Sequence, residues 1–176
     1  ENRRERVRTE EDLQSYLYQR DRIKQYLEEL YVRQGEFEYC ETDDNIAYYT
    51  QNSPNERKII YSSDGDLTQL VSQNTQVYNP SHRKLYSPND IIVYEHEEIL
   101  IENVRLVKMI CGDSSDNIAG IRGMGLKRLL SLVPELRNQP ITVDQVRDRC
   151  NQLFEQDKHN KLIANLLTGA TKHGVL

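Results

Sequence analysis

The sequence predicts an α/β fold that runs into a helical part. Three observations predict it. Short apolar strand signals alternate with helical periodicity as far as residue 111. Three glycines then fall within six residues, Gly120-Ile121-Arg122-Gly123-Met124-Gly125. Beyond them the apolar residues recur at helical spacing only. The expected division is therefore an α/β core over 1–111 and a helical region over 112–176, with no internal repeat and no linker between them.

Taken in order, Thr9 opens a capping-box pattern with Asp12, and Leu13, Tyr16, Leu17, Ile23, Leu27, Leu30 and Tyr31 recur on one face. A helix is expected over 10–33, stopped by Gly35, with Tyr16, Tyr26 and Tyr31 at the edge of a core. Phe37-Glu38-Tyr39-Cys40 is a short strand signal, and 43–50 a helix. Lys58-Ile59-Ile60-Tyr61 is a buried-strand signal that ends in Ser62-Ser63-Asp64-Gly65-Asp66, followed by a short helix at Leu67–Val71. The runs 76–78 and 84–86 form a hairpin across Asn79-Pro80-Ser81-His82. Ser87-Pro88 opens a further helix, and Ile99, Val104, Leu106, Val107 and Ile110 mark another over 97–111. Helices are expected at 126–132, at 143–156 behind the capping box of Thr142 and Gln145, and at 158–168.

Composition narrows the class. The chain has 176 residues, 29% of them charged, and a net charge of −5, which is too small to keep it unfolded by self-repulsion. No apolar run is long enough to span a membrane. Cys40, Cys111 and Cys150 are odd in number and widely spaced, which argues against a disulfide scaffold or a zinc finger and fits a reducing cytoplasm. The start at Glu1 suggests a piece of a longer protein. The four histidines have no metal-ligand spacing and are taken as structural or surface groups.

The chemistry lies in acidic clusters where the backbone changes direction: Glu41-Thr42-Asp43-Asp44, Asp64-Gly65-Asp66 and Asp113-Ser114-Ser115-Asp116. Ligand sites in open α/β sheets lie beyond the carboxyl ends of strands. In extended backbone Asp64 and Asp66 would share a side. Carboxylates converging on one cleft repel, and divalent Mg²⁺ or Mn²⁺ removes that repulsion through hard oxygen ligands. Two such ions suit phosphodiester hydrolysis. Any one cluster taken alone reads first as a helix cap or a solvated loop, above all Asp43 and Asp44 at a helix start. Neither Asp64 nor Asp113 begins a calcium loop, because the sixth position is Gln69 or Ile118 rather than glycine. Gly120, Gly123 and Gly125 allow a tight turn, and Arg122, Lys127 and Arg128 around it would face an anion such as backbone phosphate.

In order and spacing, these motifs resemble the flap endonuclease / 5′-to-3′ exonuclease family, and within it the bacteriophage ribonuclease H-like branch. Glu41-Thr42-Asp43-Asp44 is similar to the family's E-A-D-D, with Thr42 for alanine. Ser62 through Leu70 is similar to S-x-D-x-D-x-x-Q-L. Gly112 through Gly125 is similar to G-D-x-x-D-N-[IV]-P-G-[IV]-x-G-[IL]-G, with Ala119 for proline and Met124 at an aliphatic position. The likeness covers residues 1–130 well and the tail poorly.

The resemblance implies a partial PIN-like, three-layer 5′-nuclease core, lacking its N-terminal strand, and then a helix–three-turn–helix region that grips duplex DNA. It implies two Mg²⁺ or Mn²⁺ ions held by Glu41, Asp43, Asp44, Asp64, Asp66, Asp113 and Asp116, with Asp43, Asp64 and Asp66 catalytic. Further acids are expected from a strand that precedes this sequence in the family. It implies DNA contacts by Arg3, Arg4, Gly120, Arg122, Gly123, Gly125, Lys127 and Arg128, and K⁺ on carbonyls of the glycine turn. The implied activity is structure-selective 5′-to-3′ cleavage, as exonuclease, flap endonuclease and ribonuclease H, during replication and repair. The substrates would be DNA and RNA–DNA duplexes with 5′ ends or flaps. A single-strand-binding protein, clamp or polymerase would be a partner of a monomeric enzyme in the cytoplasm of a bacterium or phage-infected host. The competing expectation is a duplex-binding module without catalysis.

Overall fold

Thr9 begins the first helix by a reciprocal cap. Its hydroxyl accepts from the Asp12 N–H at 3.1 Å, and its own N–H donates to the Asp12 carboxylate at 3.1 Å. The computed structural model describes residues 9–171 and the backbone of Gly174 and Val175, in two compact units, Glu1–Asn45 and Ile46–Leu176.

In the first unit, α1 (Glu10–Glu29) is held by local contacts. Gln14 donates to Glu10 at 3.0 Å, and Arg22 donates to the Tyr26 hydroxyl at 2.7 Å. The helix ends before residue 33 because Tyr31 takes a left-handed φ of 57°. No side chain of α1 is buried. Tyr16 and Tyr26 are therefore exposed rather than at a core edge, and Tyr31 is 96% exposed. The strand expected at 37–40 is absent. Tyr39 turns the chain at φ 60°, no strand among the described residues pairs with the segment, and its side chains, Cys40 included, are exposed. The helix expected at 43–50 is α2 (Thr42–Asn52), which crosses the boundary between the units.

The second unit is mixed α/β. Strand β1 (Lys58–Tyr61) pairs in parallel with β2 (Thr75–Asn79), placing Ile60 beside Val77, and β2 pairs antiparallel with β3 (Lys84–Tyr86) as the hairpin pattern predicts. A short 3₁₀ helix, Asp66–Leu70, makes the β1-to-β2 connection. The helix expected after Ser87-Pro88 is instead a second hairpin, β4 (Ile91–Tyr94) and β5 (Glu97–Leu100). Its turn residues Glu95 and His96 both take positive φ, 45° and 67°. The β-branched run Ile91-Ile92-Val93 favours strand, and here it outweighs the Ser-Pro start signal. The helix expected over 97–111 is correspondingly shorter, α3 (Val104–Cys111).

A two-residue ribbon, β6 (Gly112–Asp113) with β7 (Ile118–Ala119), follows. Then come α4 (Leu126–Leu132), a 3₁₀ turn at Pro134–Arg137, α5 (Val143–Gln156) with its expected capping box, and α6 (Lys161–Thr168), capped by Asn160. A last ribbon pairs β8 (Ala170–Thr171) with β9 (Gly174–Val175). One core serves all of this: Val77, Ile99, Val104, Val107, Leu129, Leu136, Val146 and Cys150 pack together on both sides of position 112. Asn103 lies inside it with its polar atoms satisfied. Its amide donates to the carbonyls of Leu136 and Gln139 at 2.8 and 2.7 Å and accepts from the Ile141 N–H at 2.9 Å, tying α3 to the 3₁₀ turn.

Candidate metal centre

Strand β1 ends at Tyr61, and the chain turns at once. The Ser62 hydroxyl accepts from the Asp64 N–H at 3.1 Å, and the Asp64 carboxylate accepts from the Asp66 N–H at 2.9 Å. Gly65 is helical (φ −67°, ψ −25°), so the backbone here is not extended and Asp64 and Asp66 do not simply share a strand face. Asp64 is exposed and ties the turn. Asp66 begins the 3₁₀ helix and points elsewhere: its carboxylate joins those of Asp113 and Asp116, with one oxygen from each within 4.8 Å of the others.

Asp113 enters from β6 and is buried, whereas Asp116 is exposed in the turn that follows. Asp113 accepts from the Ser115 N–H at 2.9 Å and from the Ser115 hydroxyl. The ribbon that carries it depends on close backbone approach. A Cβ on Gly120 would lie 2.1 Å from the Cys111 carbonyl oxygen, and one on Gly112, at φ +85°, would lie 2.4 Å from the Gly120 nitrogen. These two glycines thus hold the Asp113–Asp116 turn against the end of α3.

The cluster contains a cation that the motif pattern did not reveal. Lys108, in the last turn of α3, is 9% exposed and donates to Asp113 at 2.5 Å and to Asp66. Burial works against its charge, but hydrogen bonds and attraction from Asp113 and Asp66 prevail, and its pKa rises. The same contact with Lys108, helped by Ser115, brings the Asp113 carboxyl down to about 2. Burial raises the nearby Tyr94 phenol and pushes the Cys111 thiol up to about 12, consistent with Cys111 as a packed apolar group. A signal for Lys108 was present in the sequence: it stands four residues after Val104, on the buried face of an apolar helix. Beside it opens a cavity of about 470 Å³ lined by Asp66, Asn79, Lys84, Tyr86, Tyr94 and Lys108, among others.

The remaining predicted residues fall as follows. Glu41, Asp43 and Asp44 are exposed at the start of α2 and belong to the first unit. Of the glycine turn, Gly120 is buried, Gly123 takes φ +82°, and Gly125 has open space around it. Arg122, Lys127 and Arg128 are exposed, and the Arg128 guanidinium donates to the Gly123 carbonyl at 2.5 Å, closing the turn. Arg3 and Arg4 lie outside the described residues. Hard carboxylate oxygens converging from two loops suit a divalent cation such as Mg²⁺ or Mn²⁺ and not a thiolate-preferring metal.

Taken together, fold and site define an α/β domain with an acidic pocket past a parallel strand, joined to a glycine-turned helical region. Residues 1–100 match the family model of the 5′-3′ exonuclease N-terminal resolvase-like domain, and the chain belongs to this family. It is 32% identical over 118 residues to a 5′-3′ exonuclease of Mycoplasmopsis pulmonis, covering 66% of this chain and 39% of that protein. It is 30% identical over 109 residues to the flap endonuclease of Escherichia phage T5, covering 60% of this chain and 37% of the phage protein. Among solved structures, a bacteriophage T5 flap endonuclease complex with DNA and metal ions superposes with a TM-score of 0.61 at 26% identity, covering 93% of this chain and 58% of that one. T5 5′-exonuclease with bound divalent zinc superposes with a TM-score of 0.58 at the same identity, again over 93% of this chain and 58% of that one. The chain thus spans less than half of the two named relatives.

Proposed function

We propose that this chain is the part of a 5′-to-3′ nuclease that holds one side of a divalent-metal site and grips duplex backbone beside it. The convergence of Asp66, Asp113 and Asp116 carries the reading. Asp66, Asp113 and Asp116 would hold one divalent ion. Asp64, in the same turn as Asp66, would add a further carboxylate to that side of the site. Bound Mg²⁺ or Mn²⁺ supplies water activation and charge stabilisation for in-line phosphodiester hydrolysis.

The chain's own groups set the conditions. Ser115 fixes the Asp113 carboxylate through two hydrogen bonds, so one of its oxygens is already oriented. The exposed Arg122 and Lys127, with the backbone N–H groups around Gly123 and Gly125, would contact phosphates without reading bases, and the turn carbonyls would take K⁺. The substrates would be DNA and RNA–DNA duplexes with 5′ ends or flaps, which agrees with the flap endonuclease named among the relatives. The acidic net charge is compatible with this, because divalent ions invert the local field and binding needs only a basic strip.

The test is cleavage of a labelled 5′-flap duplex by the full-length protein. Cleavage should require Mg²⁺ and fall in Asp66→Ala by more than the roughly 10–100-fold that loss of an outer-shell partner costs. Mg²⁺-independent duplex binding with no cleavage, unaltered in Asp66→Ala, would establish a binding module instead.

A further inference from the structure

Lys108 is a group in the candidate metal centre that the nuclease reading leaves without a task. Its ammonium contacts both Asp66 and Asp113, two of the three acids whose oxygens converge within 4.8 Å. Its position is fixed by the core rather than by chance. The stem leaves α3 between Val104 and Cys111, and the side chain is only 11% exposed. A flexible surface lysine would fall on a carboxylate for little net gain. A buried one that fills the gap between two carboxylates offsets their repulsion, and removing it would leave them uncompensated.

The oxygens that Lys108 contacts, Oδ1 of Asp66 and Oδ2 of Asp113, belong to the same carboxylates that a divalent ion would take. We propose that Lys108 is a built-in counter-cation that occupies the Asp66–Asp113 gap when no metal is bound and must withdraw when one binds, so that it weakens metal affinity while stabilising the metal-free fold. This rests on the reading of the cluster as a divalent-cation site. The charge count supports it. Asp66, Asp113 and Asp116 carry three negative charges and Lys108 one positive, so the centre has a net charge of −2 before any ion arrives. Ion entry then replaces an existing contact instead of filling an empty gap. The cavity of about 470 Å³ that Lys108 lines gives its ammonium somewhere to move.

The test uses Mn²⁺ as the probe, with free ion counted by electron paramagnetic resonance, on the chain and its variants. Lys108→Met keeps an apolar stem of similar length and removes the charge. It should bind Mn²⁺ roughly tenfold more tightly, because the competitor is gone, and should melt below the parent in chelator, with the gap closing as Mn²⁺ is added. Lys108→Arg keeps the charge and should bind Mn²⁺ no more tightly than the parent, which leaves the proposal testable if the methionine variant does not fold. Equal or weaker Mn²⁺ binding by a folded Lys108→Met, or tightening by Lys108→Arg, overturns it. Asp113→Asn separates this failure from failure of the site itself. If Asp113→Asn leaves Mn²⁺ binding unchanged, the cluster does not hold the ion. If it weakens binding while Lys108→Met does not tighten it, only the role of Lys108 falls.

Discussion

In the first compact unit Asp43 and Asp44 stand in the exposed first turn of α2, and no residue of α1 is buried. In the second unit Asp113 is buried, held by a lysine and a serine, on a ribbon pinned by two glycines in van der Waals conflict with any larger residue. The same residue type thus does different work in the two units. In the first, carboxylates stand in the exposed first turns of helices, where the helix dipole favours them and local geometry decides their placement. In the second, a packed core sets where the carboxylates point, and a buried cation offsets their charge. An acid motif becomes a preorganised site only where the surrounding chain buries apolar surface.

The sharpest way to break this contrast is to remove equal bulk from each unit. Leu129 is fully buried in the core, whereas Leu13 on α1 is 40% exposed. Leu129→Ala should cost about 3 kcal/mol, within the usual range for a buried leucine. Leu13→Ala should stay within about 0.5 kcal/mol. Urea unfolding of both variants measures the difference. Equal losses would mean that α1 is covered in solution and that the contrast is false.

A smaller effect sharpens the electrostatic half. Asp113 has its carboxyl lowered from 3.8 to about 2 by Lys108 and Ser115. A carboxyl depressed in the folded state binds fewer protons than in the unfolded state, so it stabilises the fold above the unfolded value. That contribution drains away as the pH falls through about 4 towards 2. It should amount to on the order of 2 kcal/mol. The raised Lys108 acts in the opposite direction, present below its unfolded value and lost only in strong alkali. Urea midpoints between about pH 5 and pH 2 should therefore fall more steeply in the parent than in Asp113→Asn. Parallel slopes would show that the buried pair does not set the acid limb.

How much of this the sequence disclosed follows from how local each signal is. The capping boxes at Thr9 and Thr142, the strand at 58–61, the 76–86 hairpin and the later helices depend on neighbouring residues, and each was legible. The β4–β5 hairpin was not, because Glu95 and His96 adopt positive φ without glycine or asparagine to announce it. Burial of α1 was over-read: helical periodicity predicts a face but not a partner for it. The acids of the cluster were legible as motifs, yet which of them meet was not, since Asp66 and Asp113 are brought together by tertiary packing across 47 positions. Lys108 was missed because a lone lysine in a helix resembles a surface charge until its phase against Val104 and Cys111 is considered.

The smallest effect tests the contrast with one device used twice. Thr9 and Thr142 form the same capping box, the first on a helix with no buried residue and the second on α5, where Val146 and Cys150 are buried. Removing either hydroxyl should cost about 1 kcal/mol of capping. The loss should be expressed differently. In Thr9→Ala no buried side chain anchors α1, so amides near Leu17 should exchange roughly fivefold faster with deuterium, the factor that about 1 kcal/mol represents. In Thr142→Ala the core holds Cys150, at the equivalent position eight residues past the cap. Amides there should open only with the whole unit, so their exchange should follow the global stability measured by urea instead of outrunning it. If α5 frays ahead of global unfolding as α1 does, the core does not reach that helix, and the packed frame inferred around the acidic site is smaller than it looks.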